Sequence, residues 1–129
     1  MAGPFNSKAK GNTFVIPFII DGGGSAITTG QKGHIDVPFA GTITGWTIVA
    51  DQSGSIVIDI WKAAYPTVPV VGGTITGTEK PTLSTAQVNQ DTTLTTWTTG
   101  LAAGDILAFN VDSVATVTRV SVNLRAIRT

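Results

Sequence analysis

The chain has 129 residues, the size of one domain able to bury most of its apolar surface on folding. Eight basic residues balance eight acidic ones, which excludes a bulk field for gathering nucleic acid or an anionic membrane. There are no cysteines, which excludes a disulfide framework, thiolate catalysis and cysteine-held zinc or iron–sulfur sites.

Residues 1–12 are small, polar and rich in breakers, and are expected to form an extended arm ahead of a single domain at 13–129. The arm lacks the apolar stretch of a secretory signal, and no apolar run reaches the roughly 20 residues that span a bilayer. The product is therefore expected to stay in the cytoplasm where it is made until a partner collects it.

The domain begins with an apolar, β-rich run at 13–20 that contains Pro17. Proline inside a strand points to an edge or a bulge. Asp21, Gly22, Gly23, Gly24 and Ser25 then break the chain. Ile35, Val37 and Phe39 alternate onto one face, and 42–50 forms a mixed strand around Trp46. Asp51-Gln52-Ser53-Gly54 has the composition of a hairpin turn leading into Ile56, Ile58 and Ile60, a core face backed by Val57, Asp59 and Trp61. Residues 63–90 hold three prolines and three glycines and are expected to make a long irregular excursion with one short strand near 74–76. Strand character returns at 92–97 and at 105–111, with Leu107, Phe109 and Val111 inward. The last strand, 116–126, alternates Val120, Val122, Leu124 and Ala126 against Arg119, Ser121, Asn123 and Arg125.

About eight short strands without helical periodicity predict an all-β fold, an antiparallel, jelly-roll-like β-sandwich. An immunoglobulin-like strand order satisfies the same count. Charged residues are only 12% of the chain, and 21 threonines cover the surface instead. Such a neutral, Thr-rich exterior suits a protein packed into an assembly.

Few residues carry chemistry. His34, the one histidine, sits between Gly33 and Ile35 as a turn residue, and a hydrolase would need it as a positioned base. Ser7 and Lys10 match a Ser-x-x-Lys spacing, but in the arm and without companion motifs. The triple glycine after Asp21 lacks the Gly-Lys-Ser/Thr that makes a phosphate loop. Asp21, Asp36, Asp51, Asp59, Glu79, Asp91, Asp105 and Asp112 mostly stand at strand ends, where aspartate caps turns. The expectation is no catalytic residue, no metal and no cofactor. Trp46, Trp61, Tyr65 and Trp97 are the candidates for a subunit interface or for stacking on a sugar. Arg119, Arg125 and Arg128 are expected on a solvated or interfacial face rather than on nucleic acid.

The blocks Ile19-Ile20-Asp21-Gly22-Gly23-Gly24-Ser25-Ala26-Ile27-Thr28-Thr29-Gly30, Val37-Pro38-Phe39 and 50–62 resemble a domain that recurs in bacteriophage virion proteins. The later blocks 94–98, 104–114 and 118–120 continue that resemblance, which covers nearly everything from residue 14 onward. In that family the domain often ends a longer tail or fibre protein, and no catalytic residues come with it. Here only a short arm precedes it, which resembles a capsid decoration, or cement, protein. The resemblance implies a homotrimer seated on the major capsid protein or another virion protein. Phe5, Lys8 and Lys10 of the arm are then expected to contact the capsid. A tail or head fibre domain that binds a host surface glycan is the other role the resemblance allows.

Overall fold

The computed structural model describes residues 12–129. Phe5, Lys8 and Lys10 lie outside the described residues. Seven strands follow in order: β1 (Thr13–Asp21), β2 (Gly30–Asp36), β3 (Gly41–Ala64), β4 (Thr82–Asp91), β5 (Gly100–Leu101), β6 (Asp105–Ala115) and β7 (Arg119–Arg128). All their pairings are antiparallel. The sheet runs β1-β7-β3-β6-β2, with β4 and β5 on the other edge of β3. It curls into a half-barrel, giving the all-β, sandwich-like class expected from the alternation.

β3 is the spine. Its 24 residues serve both halves of the molecule. From Gly41 to Ala50 it lies beside β7, and from Ser55 to Ala64 beside β6. The hairpin turn expected at 51–54 is not one, because the strand continues and only bends there. The polar residues that would close a local turn are satisfied by the β6–β7 connection instead. Asp51 accepts from the Thr118 hydroxyl and from the Thr118 and Arg119 backbone N–H groups, and the Gln52 amide donates to the Thr116 carbonyl at 2.5 Å. Gly54 is required at the bend, since a Cβ there would meet the Ala115 carbonyl at 2.8 Å.

Three further expectations change. Residues 82–90 of the expected excursion belong to strand β4, and 92–97 is irregular rather than a strand. In β4 only Leu83 is buried, so no alternation marks it, and its extended form comes from pairing with β3. The 92–97 segment is held by side chains: Asp91 accepts from Thr93 N–H at 2.9 Å, and Glu79 accepts from Thr95 and Thr96 N–H. The last strand begins at Arg119, three residues later than expected.

The core forms where alternation placed it. Ile56, Ile58 and Ile60, Leu107, Phe109 and Val111, and Val120, Val122, Leu124 and Ala126 are all buried. Ile16 and Ile20 of β1 face them, and the Phe18 ring stacks on Phe109 with centroids 4.3 Å apart. That stack closes the half-barrel over β2, where Gly33 has φ +153° and a Cβ would lie 2.8 Å from the Phe18 ring. The row Ile35, Val37, Phe39 breaks, because β2 ends at Asp36. Val37 is buried, whereas Phe39 turns outward to meet the Phe14 ring edge-on, with Arg128 4.3 Å above its centroid.

β1 is an edge strand, one of the two placements to which Pro17 pointed. Arg128 N–H donates to the Asn12 carbonyl and Gly22 N–H to the Thr118 carbonyl, so the even-numbered residues of this stretch bond toward β7. Alternation then turns the odd-numbered residues, Pro17 among them, to the free edge.

Candidate interaction surfaces

The face of β3 opposite the isoleucines carries Val57, Asp59 and Trp61, which sequence alone leaves uncovered. The chain covers it itself. After the 3-10 turn Val71–Gly73, Thr74 bridges to Trp61 and Ile75 N–H donates to the Ile60 carbonyl at 3.0 Å. The short strand expected near 74–76 is this bridge. Asp59 is buried beneath it and accepts from the Thr74 and Thr76 hydroxyls at 2.6 and 2.7 Å, Ile60 N–H at 2.9 Å and the Trp61 indole at 3.0 Å. Lys80 stands 4.0 Å away and also pairs with Asp112 at 2.7 Å. Burial pushes the Asp59 carboxyl up, but those hydroxyls, the indole and the Lys80 charge outweigh it and hold it below the usual carboxylate range.

The aromatic candidates divide accordingly. Trp46 and Trp97 are buried, and both indoles donate to the backbone carbonyl of Glu79, at 3.1 and 2.9 Å. They staple the excursion to the core, so neither offers a ring to a ligand or subunit. Trp61 is half-buried and spends its N–H on Asp59. Of the four, Tyr65 alone stands well out, 76% exposed.

Most of the carboxylates hold backbone. Asp21 accepts from Gly23 N–H, Asp91 from Thr93 N–H and Asp105 from Ala102 N–H, each at 2.8 to 2.9 Å. Among the described residues no three His, Asp or Glu side chains converge as metal ligands. His34 lies within β2 rather than in a turn, beside the Gln31 amide at 2.6 Å. The Glu79 carboxylate is the most perturbed: the Thr96 N–H and hydroxyl and the Thr95 N–H stabilise its anion and pull its pKa from 4.5 down to about 2. Because the folded value is depressed, Glu79 contributes stability above its ordinary range that is lost as pH falls from 4.5 toward 2. Glu79→Gln is expected to lower the melting temperature at neutral pH and to flatten its acid dependence across that window. Parallel melting curves for variant and wild type at every pH would contradict this.

Among the described residues, most of the exposed large apolar side chains gather in two places. The first is the segment 65–71, where Tyr65, Val68, Val70 and Val71 are each more than 60% exposed. No charged residue occurs between Lys62 and Glu79. β3 starts and finishes at the same end of the molecule, since Lys62 donates to the carbonyl of Gly100, the residue paired with Thr42. That end also holds Asn12 and Thr13, where residues 1–11 join β1.

The second is the outer face of β1, β7, β3 and β4. Register sets Ile19, Ser121, Val49 and Val88 in one row across the four strands. Pro17, Asn123, Thr47 and Gln90 form the next row, and Val15 and Arg125 the one after. On the other side of the first row, Asp21 pairs with Arg119 beside Asp51. Arg119 and Arg125 thus share this face, whereas Arg128, on the other parity of β7, lies over Phe39. Comparison with known protein families, with curated proteins and with solved structures finds no match.

Proposed function

We propose that the chain is a non-enzymatic structural component of a bacteriophage particle surface, a capsid decoration protein that stabilises the head by bridging capsid subunits. One observation carries the attachment mode: the uncharged apolar segment 65–71 stands exposed at the end where the N-terminal residues join the fold. Exposed apolar clusters of this kind mark contact sites, and burying four such side chains supplies several kcal/mol toward binding. The neutral, Thr-rich exterior and the resemblance of residues 14–129 to phage virion domains point the same way.

Particles stripped of the protein test this by add-back, with immunogold counting on heads and tails. Wild type is expected to return to heads. A Val70→Asp, Val71→Asp double variant with an unchanged melting curve is expected to stay in solution. Gold confined to tails, or a double variant that rebinds fully, overturns the assignment. The exposure of Tyr65 on the same segment favours one second role, a fibre domain stacking on a host glycan. Tail label together with a glycan-array signal lost in Tyr65→Ala would establish it.

A further inference from the structure

We propose that the outer face of β1, β7, β3 and β4 is a self-recognition surface on which two copies pack face to face. A sheet face left to water alternates polar and charged residues outward. This one does not. Val15, Ile19, Val49 and Val88 on it are 51, 65, 40 and 62% exposed, and small or amide residues fill the rows between them. Nine residues of β1, β7 and β3 and four of β4, at roughly 4.8 Å spacing and roughly 3.3 Å rise, span roughly 500 Å². Side-chain relief brings that toward the ~800 Å² per partner of a stable pair.

The charges single out a second copy as the occupant. Arg125 lies beyond the central row on one side and, among the described residues, has no ion-pair partner. Beyond it on the other side are two carboxylates, Asp21 and Asp51, and one guanidinium, Arg119. A half-turn about an axis across the strands at the Asn123 row reverses the strand direction. It lays the positive side of each copy over the negative side of the other, and each apolar row over the Val15–Arg125 row. Between Ile19 and Val49 the small Ser121 leaves a groove of about 170 Å³ that runs to Asp51. Arg125 of one copy fits along it, its guanidinium toward the carboxylates of the other. The contact is isologous, so it closes at two copies. It uses a different surface from the 65–71 end and stands independently of the particle assignment.

Asn123 lies on the axis, and the chain has no cysteine of its own, so a single Asn123→Cys reports the geometry directly. Asn123→Cys with a short bis-maleimide is expected to give a covalent dimer, and Thr67→Cys is expected to give none. Light scattering on the wild-type chain is expected to show twice the 13.3 kDa chain mass. Ile19→Lys with Val49→Lys is expected to weaken association roughly a hundredfold. A wild-type mass of one or three chains overturns the proposal. So does a dimer that survives the double lysine variant or fails to cross-link through Asn123→Cys.

Discussion

Replacing Phe109 by alanine is expected to cost roughly 3–5 kcal/mol of folding stability. Its ring is fully buried in β6, paired across the sheet with Ile60 on one side and Gly33 on the other, and stacked on Phe18 of β1. The truncation removes the largest of the fully buried side chains and leaves a cavity between two layers that β3 ties together. Collapse around the hole is blocked, because strands on both sides hold their register by backbone bonds. Urea denaturation measures the loss. Phe18→Ala and the double variant complete a cycle, in which a coupling of roughly 0.5–1.5 kcal/mol is expected from the stacked pair. Additive losses would mean that the rings merely fill space independently.

Asp59→Ala is expected to cost a comparable ~3–5 kcal/mol, by a different mechanism. The carboxylate is the shared acceptor for two threonine hydroxyls, one indole and one backbone N–H. Removing it strands those donors in a largely buried site and leaves Lys80 with Asp112 alone. Burial of unpaired donors, rather than loss of attraction as such, sets the size of the effect. Asp59→Asn keeps a carbonyl acceptor and is expected to recover a large part of it. The change also frees the 74–76 segment, so Trp61 fluorescence should shift toward that of a wetter ring before global unfolding. A loss below ~1 kcal/mol would show that the hydroxyls find other acceptors.

The sequence discloses strands whose two faces meet different environments. β7 is the clearest, because Val120, Val122, Leu124 and Ala126 face only core while Ser121 and Asn123 face outward. The second half of β3 and residues 105–111 of β6 are legible for the same reason, whereas the mostly exposed end of β6, 112–115, is not. Where a segment takes its form from a distant partner, local pattern is silent. β4 is extended because β3 lies beside it, and 92–97 is irregular because Glu79 captures its backbone N–H groups. Trp46 and Trp97 could not be assigned to the interior from spacing, since the carbonyl they share belongs to Glu79, 33 and 18 residues away. The bend at 51–54 has turn-like composition, and only the β6–β7 connection reveals that its polar groups are used across the chain.

Of the candidate surfaces, the aromatic residues were visible but their depth was not. Tyr65 is the one aromatic candidate left prominently outside. Val15, Ile19, Val49 and Val88 gave no signal as a group, because register brings them onto one face from three strands.

Pro17 sets how such a protein behaves when crowded. A free β edge beside an apolar face is a template on which chains add one after another into fibres. β1 has such an edge, but its middle residue supplies no N–H there, so an incoming strand meets a gap in the donor row halfway along. Growth along the sheet is thereby blunted, while contact through the face, which needs no backbone donor, is left open. At this edge, association is steered away from strand-by-strand addition and toward contact through the face. Pro17→Val is expected to remove that brake and to raise the chain's tendency to add edge to edge, read as thioflavin T signal on concentration.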